Sequence, residues 1–299
     1  MDPRILDRLR CPVCGEPLAP ATDTRALRCP RRHSFDIARQ GYVNLLTGRA
    51  PHVGDTPDMV AARADFQAAG HYDVISSALA AAATDAVGRL AGAPLESTPA
   101  AAQQPGFGAY PLVVDAGAGT GRYLGAVLAA LPDAVGLALD VSKPALRRAA
   151  RAHPRAAAAL ADTWQRLPLA DASTAVLLNV FAPRNGPEFH RVLHPAGTLL
   201  VVTPDTDHLA ELVDTLDLLR VDPDKADRVA ASLGGHFTPV SSAVHRAGLA
   251  LTRPEVATVV GMGPSAWHTD AAALTTRLAA LPEPVRVTVA VRLDVLRPR

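Results

Sequence analysis

Cysteine is scarce in this chain, and long apolar runs are missing. Only three of the 299 residues are cysteine, and all three, Cys11, Cys14 and Cys29, fall in the first tenth of the chain. An odd and clustered set does not suit a disulfide framework and favours metal binding instead. No uninterrupted run of about 18 apolar residues occurs, which argues against a membrane span. We also find no internal repeat.

Charge is nearly balanced over the whole chain but uneven along it. The net charge is +1, yet residues 1–49 hold nine arginines and five acidic residues, which leaves −3 for the remainder. A basic head is compatible with contacts to phosphates, although a solvated charged face is the simpler explanation of the charge alone. The first residues, MDPRILDRLRCPVC, carry charges where a signal peptide needs an apolar stretch, so we expect a cytoplasmic protein.

Apolar runs alternate with helical patterns over most of the chain. The predicted strands are residues 112–116, 134–140, 157–162, 174–180 and 197–203, and residues 57–90 are predicted to be helical. This alternation predicts an α/β fold with a mainly parallel sheet that helices cover on both sides. From Val285 to Val295 every odd position is Val or Leu, and the even positions are Arg, Thr, Ala, Arg and Asp, which favours a half-exposed antiparallel edge strand.

The three cysteines and one histidine form two short pairs. The spacing is Cys11-x2-Cys14-x14-Cys29-x3-His33, and tetrahedral Zn²⁺ takes thiolate and imidazole ligands from tight turns of this kind. Four protein ligands leave no open coordination position, so the spacing predicts a structural zinc. For His33 an alternative remains, because Arg31 and Arg32 beside it also suit a loop that faces RNA.

A glycine-rich turn follows the first strand of the sheet. Its sequence is VDAGAGTG, with Gly117, Gly119 and Gly121, and such a turn lets the backbone approach a ligand closely between a strand and a helix. Because dinucleotide-binding proteins use the same shape, the glycines alone do not identify the ligand.

Three aspartates at successive strand ends favour S-adenosylmethionine as that ligand. Asp115 precedes the turn, where it could meet the methionine ammonium, and Asp140 ends the next strand, where a carboxylate can accept both ribose hydroxyls. Asp162 ends the following strand and is placed for the adenine amino group. Each aspartate could instead be a helix cap. A pyrophosphate cofactor is the rival, but no second mononucleotide-binding half follows.

Motifs along nearly the whole chain resemble those of the RlmA family of 23S rRNA guanine-N1 methyltransferases. They are the zinc pattern running into HSFDIARQGYVNLL, then DMVAARADFQAAGHYDVI, DAGAGTGRY, LDVSKPALRRAARAHP, NVFAPRN and VVTPDTDHLAEL. NVFAPRN and MGPSAWH look most like the Gram-positive branch, which includes tylosin-resistance methyltransferases that act at nucleotide 748 in the loop of hairpin 35. Two segments depart from the family pattern: the insertion 91–111 is long, and HPAG replaces the usual PGG turn.

The resemblance implies a class I Rossmann-like methyltransferase with S-adenosylmethionine and structural Zn²⁺ as cofactors. It supports Cys11, Cys14, Cys29 and His33 as zinc ligands and implies that Tyr72, Gly119, Thr120 and His208 lie at the methyl-donor site. It also implies 23S rRNA near hairpin 35 as the partner. A homodimer is left open, and so is the choice between housekeeping modification and resistance.

The implied organisation has four parts. Residues 1–36 form the zinc module, 37–90 a helical connector and the start of the methyltransferase domain, 91–111 a flexible Ala/Pro-rich insertion, and 112–299 the methyltransferase domain. We expect the arginines of the module to hold the RNA backbone: Arg25, Arg28, Arg31, Arg32 and Arg39.

The acceptor side is predicted at the end of the fourth strand. There we expect the segment from Asn179 to Arg184 to hold the target base, with Arg184 stabilising charge on O6, although strand-end packing explains these residues equally well. No residue stands out as a general base. Two alternatives remain: the same chemistry on a small-molecule or protein acceptor, and a non-catalytic RNA-binding protein that has kept the fold.

Overall fold

The fold contains two sheets, a small one at the N-terminus and a large one in the remainder. The computed structural model describes residues 1–48, 54–92, 110–216, 218, 231–263 and 271–299. The greater part of the predicted insertion 91–111 and of the motif MGPSAWH lies outside the described residues.

The N-terminal part of the chain is a three-stranded antiparallel sheet preceded by one turn of helix. Helix α1 spans Pro3–Leu6, and strands β1, β2 and β3 span Ala19–Pro20, Ala26–Arg28 and Ser34–Asp36. The strands follow one another in the order β1-β2-β3. Strands this short bury few side chains, which is why the segment depends on a further source of stability.

The large sheet has eight strands, six of them parallel. They are β4 (Val43–Asn44), β5 (Leu112–Ala116), β6 (Val135–Asp140), β7 (Ala156–Leu160), β8 (Thr174–Val180), β9 (Leu193–Pro204), β10 (Phe237–Leu251) and β11 (Val285–Pro298). Their order is β10-β11-β9-β8-β5-β6-β7-β4. The five strands predicted from apolar runs are all present, β5 and β8 with the predicted bounds. The mainly parallel α/β fold is therefore confirmed.

Helices cover this sheet and connect its strands. They are α2 (Pro57–Ala68), α3 (Asp73–Gly92), α4 (Arg122–Ala130), α5 (Lys143–Ala149), α6 (Gly186–Val192), α7 (Ala210–Leu216), α8 (Arg253–Gly261) and α9 (Ala271–Ala279). The predicted helical stretch 57–90 is two helices, because the chain turns at Gly70 with a left-handed φ of 84°. Ser142 caps α5 through the Ala145 N–H, and Pro144 lies in its first turn, as predicted.

The C-terminal strand is antiparallel but does not form the edge of the sheet. Strand β11 pairs with β9 on one side and with β10 on the other, antiparallel to both. The prediction of an edge strand was wrong because β10, which follows β9 in the chain, pairs along the outer side of β11. The alternation is visible in the burial of β11: its odd-numbered residues from Val285 to Leu293 are all buried, whereas most of its even-numbered residues are half-buried or exposed.

Two apolar layers lie on opposite faces of the large sheet. The first packs α3 and α4 against residues such as Val113 and Ala138. The second packs the N-terminal part of the chain, through Ile5, Leu9 and Phe35, against the other face. By length and composition α3 alone among the described helices could cross a membrane. In the fold its Ile75, Leu79 and Ala83 are fully buried in the first layer.

A short bridge ties the N-terminal part to the loop between β7 and β8. Leu9 pairs with Leu169 as an isolated antiparallel bridge. On either side of the bridge the Arg10 N–H donates to the Pro168 carbonyl (3.0 Å) and the Ala170 N–H to the Arg8 carbonyl (2.9 Å). The N-terminal part is therefore attached to the large sheet by backbone hydrogen bonds as well as by apolar packing.

Candidate functional site: a zinc ribbon and a methyl-donor pocket

The four side chains predicted to bind zinc lie together. One ligand atom from each of Cys11, Cys14, Cys29 and His33 lies within 4.8 Å of all the others. Cys14 Sγ is 3.7 Å from Cys29 Sγ, and His33 Nδ1 is 3.4 Å from Cys29 Sγ and 3.5 Å from Cys11 Sγ. Two sulfurs that share a tetrahedral Zn²⁺ at Zn–S distances of about 2.3 Å are about 3.8 Å apart, so the cluster fits the ion.

Two turns of backbone present these ligands. In the first, the Gly15 N–H donates to the Cys11 carbonyl at 2.8 Å, and Gly15 has a left-handed φ of 77°. In the second, the Arg32 N–H donates to the Cys29 carbonyl at 2.9 Å, and Arg32 has a φ of 65°. Each pair of ligands is thus held by local hydrogen bonds that its own few residues supply.

The electrostatics of the cluster also suit a metal ion. Burial raises the pKa of the Cys29 thiol, but hydrogen bonds from the backbone of His33 and Arg31 and contacts with the other thiols outweigh it and lower that pKa to about 7. Such a thiol is substantially ionised at neutral pH, and the thiolate is the form that binds a metal.

The arginines of the module differ in whether an acidic side chain lies close enough to neutralise their charge. Arg31 lies 3.6 Å from a carboxylate oxygen of Glu16, and Arg28 lies 3.3 Å from one of Asp23. Arg25 donates to the carbonyl of Arg39 at 3.4 Å. All of them except the half-buried Arg28 are exposed. The face is accessible to a polyanion, but a part of its charge is already paired.

The glycine-rich turn connects β5 to α4 at the carboxyl end of the sheet. Gly117 and Gly121 have left-handed φ values of 86° and 80°. A Cβ on Gly117 would overlap the Cβ of Ala182, and one on Gly121 would lie 2.8 Å from the Cα of Ala149. Both positions therefore need glycine for conformation and for space, which is the close packing that a nucleoside-binding turn requires.

Asp115 is buried beneath this turn without a partner. It is 1% exposed, and neither carboxylate oxygen has a hydrogen-bond partner among the described residues. Burial, and secondarily the nearby Asp140, raise the pKa of its carboxyl to about 8. Since a buried carboxylate without a partner is costly, this arrangement suits a cationic ligand group such as the ammonium of S-adenosylmethionine.

Asp140 and Asp162 lie at the ends of the next two strands. The oxygens of Asp140 accept from the backbone N–H groups of Ser142 (2.7 Å) and Gly119 (2.8 Å). One oxygen of Asp162 accepts from the Trp164 N–H at 2.9 Å, and the other is buried and without a partner among the described residues. Both acids orient their loops and keep acceptor capacity, so they could hold the hydroxyls and the amino group of an adenosine.

Tyr72 and His208 meet beside this pocket although 136 residues separate them in the chain. Tyr72 Oη is 3.3 Å from His208 Nε2, and the Ala290 N–H donates to His208 Nδ1 at 3.2 Å. This network assigns the imidazole proton to Nε2, which then donates to the tyrosine and leaves the phenol hydrogen as a donor for a ligand. Burial raises the pKa of Tyr72 above its ordinary range, so the phenol stays neutral.

Sequence patterns missed two polar residues of helix α2. Thr120 Oγ1 donates to Gln67 Oε1 at 2.6 Å, and Gln67 is buried. Arg63 pairs with Asp55 and donates to the carbonyl of Met262 at 2.8 Å. A glutamine on a buried helix face is the one local indication of such a role, and it does not say which strand end the side chain meets.

On the acceptor side Asn179 is fully buried at the end of β8. Its amide donates to the carbonyls of Ala116 (3.2 Å) and Pro183 (2.8 Å), while Oδ1 has no partner among the described residues. Arg184 is half-buried, burial lowers the pKa of its guanidinium, and its Nε lacks a partner in the same part of the chain. Asn179 thus fixes the turn that carries Arg184.

Comparison with known proteins agrees with both halves of this description. The N-terminal zinc-ribbon model of RlmA matches residues 9–49. A candidate 23S rRNA (guanine-N1)-methyltransferase from Micromonospora griseorubida is 68% identical, with all of both chains covered. The 23S rRNA (guanine(748)-N1)-methyltransferase of Streptomyces fradiae is 50% identical over 100% of this chain and 99% of its own length.

Solved structures overlap with the chain only loosely. A candidate methyltransferase from Bacillus halodurans is 15% identical, with a TM-score of 0.42 over 63% of this chain and 93% of that one. A chain from the Haloferax volcanii complex of a methyltransferase activator with a candidate methyltransferase is 19% identical, with a TM-score of 0.46 over 82% of this chain and 99% of that one.

The sheet order, the donor turn and the metal cluster define an S-adenosylmethionine-dependent methyltransferase with an N-terminal zinc ribbon. By its identity to full-length relatives, the chain belongs to the 23S rRNA (guanine-N1)-methyltransferase family. The family resemblance predicted from the sequence motifs is therefore confirmed.

Proposed function

We propose that this chain methylates N1 of guanine 748 in 23S rRNA, in the loop of hairpin 35. The observation that carries the proposal is the 50% identity, over the whole chain, to the Streptomyces fradiae enzyme whose name specifies that nucleotide. The buried carboxylate of Asp115, which lies beneath a glycine-rich turn and has no hydrogen-bond partner in the part of the chain that the structure describes, supports the same chemistry.

In this proposal the donor lies across the carboxyl ends of β5, β6 and β7. Asp115 holds the ammonium, Asp140 the ribose and Asp162 the adenine, while Gly117, Gly119, Thr120 and Gly121 shape the turn around the donor. Tyr72 and His208 close the methionine side. When bound, S-adenosylmethionine supplies an electrophilic methyl group, and the protein supplies the alignment.

The acceptor guanine needs help because its N1 carries a proton and is a poor nucleophile. We assign Arg184 to the stabilisation of charge on O6 while that proton leaves to solvent, and Asn179 to the positioning of the turn that carries Arg184. Arg184→Ala is then expected to retain donor affinity and to lose turnover, whereas full turnover in this variant would contradict the assignment.

The zinc module serves the RNA in the same proposal. Residues 1–36 hold the RNA backbone through the exposed arginines, residues 37–90 connect this module to the methyltransferase domain and begin that domain, and residues 112–299 complete it. A hairpin loop is already partly unstacked, so the extrusion of its base costs less than from a duplex. Since 23S rRNA is the substrate, we place the protein in the cytoplasm.

The test is incubation with methyl-labelled S-adenosylmethionine and unmodified 23S rRNA, followed by reverse transcription to map the modified base. A stop at guanine 748 is the expected result, because a methyl group on N1 blocks base pairing. Label on another acceptor would favour a small-molecule or protein substrate, and donor binding without any transfer would favour a non-catalytic RNA-binding protein.

Two finer points belong to the same proposal. Expression in a susceptible host is expected to raise tolerance to tylosin-type macrolides, and unchanged tolerance despite full methylation would separate the modification from resistance. We also propose a homodimer, which sedimentation of the purified chain tests directly.

A further inference from the structure

Phe181 is an exposed aromatic residue at the end of a completely buried strand. All seven residues of β8 are buried, whereas Phe181, which follows the strand directly, is 41% exposed. An aromatic ring gains free energy by burial, and Phe181 leaves much of its surface open next to Ala182, which packs against the glycine-rich turn.

The backbone that presents this ring is strained and firmly held. Phe181 has a φ of 53°, in the left-handed region that side chains other than glycine rarely adopt. Its N–H donates to the Val202 carbonyl at 3.1 Å, and the amide of Asn179 closes the turn by donating to the Pro183 carbonyl at 2.8 Å. The neighbouring Ala182 packs against Gly117 of the donor turn, where a Cβ would overlap it.

The ring of Phe181 joins the aromatic pair beside the donor pocket. Its centroid lies 6.3 Å from that of Tyr72 and 5.9 Å from that of His208. Tyr72 is buried, its hydroxyl is hydrogen-bonded to His208, and His208 is half-buried, so Phe181 is the most exposed of the three residues. An exposed aromatic residue at this position suits a flat, π-bearing acceptor such as a nucleobase.

We propose that Phe181 stacks on the extruded target guanine and so directs its N1 edge toward the donor methyl group. This inference rests on the proposed function and adds the residue that holds the base. It also gives the left-handed backbone a role, because the chain leaves β8 in that conformation at the residue whose ring lies beside Tyr72 and His208.

The test compares four substitutions at this position by kcat/KM for a 23S rRNA fragment at saturating donor. Phe181→Leu keeps apolar volume without a π face and is expected to lose about 5- to 140-fold, which is a stacking free energy of about 1–3 kcal/mol per base at 1.4 kcal/mol per tenfold. Phe181→Tyr and Phe181→Trp are expected to stay within about threefold of the unchanged chain. Phe181→Gly removes both strain and ring, so its Tm is expected to be retained while activity is lost.

Two controls separate the inference from structural effects and from the proposed function. The first control is donor affinity, measured by calorimetry with S-adenosylhomocysteine, which is expected to be unchanged in Phe181→Leu. The second is Val240→Ala, at a half-exposed apolar residue of β10, which is expected to keep full kcat/KM. With 2-aminopurine in place of the target base, Phe181→Leu is expected to give brighter fluorescence in the complex than the unchanged chain, because the extruded base is no longer stacked.

The outcomes are distinct. Full kcat/KM in Phe181→Leu overturns the inference, and so does a loss that weaker donor affinity accounts for. If the unchanged chain methylates guanine 748 and Phe181→Leu does so equally well, the inference alone fails. If the unchanged chain transfers no methyl group to 23S rRNA, the proposed function fails and takes the inference with it.

Discussion

The zinc cluster and the donor pocket are built in opposite ways. The four zinc ligands lie within 23 residues and are held by two turns that hydrogen-bond to themselves. The proposed donor site draws on residues from Tyr72 to His208, and only the fold of the large sheet brings them together. The first site is therefore specified by local spacing and the second by topology, and substitutions should separate the two.

The largest effect is expected from the loss of a zinc ligand. Cys29→Ser should lower the zinc content from one ion per chain to none and reduce RNA methylation at least about 100-fold. It should also lower the Tm, because the small sheet has little apolar core of its own. Zinc content by mass spectrometry and donor affinity by calorimetry are the measurements. Val13→Ser, on the same first turn but not a ligand, should keep the metal. If donor affinity disappears with the zinc, the two sites are not separable.

Asp115→Asn is expected to change the stability of the fold and the affinity for the donor, without an effect on the zinc cluster. Its folded-state pKa of about 8 lies above its ordinary value of 3.8, so folding takes up a proton between these values and stability falls as the pH rises through this window. The asparagine variant should therefore be more stable than the unchanged chain, by on the order of 4 kcal/mol at pH 7, with no difference below about pH 4.

The same variant should bind donor at least about 30-fold more weakly, since it removes one partner of a buried charge pair. Thermal unfolding between pH 4 and 8 and titration with S-adenosylhomocysteine are the two measurements. Asp133→Asn, at an exposed acid, is the control for both. Undiminished donor affinity would remove Asp115 from the pocket.

A smaller effect is expected at the surface of the zinc module. Replacing Arg31 and Arg32 by alanine should weaken RNA binding and flatten its dependence on log salt by about 1–2 units, without a change in donor affinity. Glu16→Gln should act in the opposite sense, because it frees Arg31 from an acid 3.6 Å away. Equal RNA affinity in all three proteins, measured by filter binding at several salt concentrations, would count against the backbone contact.

The smallest effect is expected at the hydrogen bond between Tyr72 and His208. Tyr72→Phe removes one hydroxyl and should lower donor affinity about 2- to 12-fold, the range for a single neutral hydrogen bond. Zinc content and RNA affinity should not change. Tyr110→Phe, at an exposed tyrosine, is the matched control.

The sequence predicted the features that depend on local patterns and missed those that depend on the topology of the fold. The zinc ligands and the bounds of β5 and β8 could be predicted because their patterns are local: short spacings in one case, uninterrupted apolar runs in the other. Strand β10 was not predicted, because most of its side chains are exposed and its pairing partner β11 lies some 40 residues further along.

Within the pocket the acids could be predicted and their neighbours could not. Asp115 and Asp140 follow from their places at the ends of apolar strands. Tyr72 and His208 came only from family resemblance. Phe181 lies in the segment from Asn179 to Arg184 that was predicted to hold the target base, but its own role was not singled out. Gln67 and Arg63 were predicted by neither source. The positions of these side chains depend on how the helices pack and on the left-handed backbone of Phe181. Neither feature produces a periodic pattern in the sequence.

The bridge between Leu9 and Leu169 attaches the N-terminal part to the loop between β7 and β8, and that loop also contains Asp162, the acid proposed to hold the adenine. One short segment therefore contacts the module proposed to hold the RNA and contributes to the proposed donor site. Any preference of that loop for one arrangement is then a coupling free energy, and coupling is reciprocal. To the extent that donor binding selects an arrangement of this loop, it tightens the hold on the RNA by the same factor by which the RNA tightens the hold on the donor.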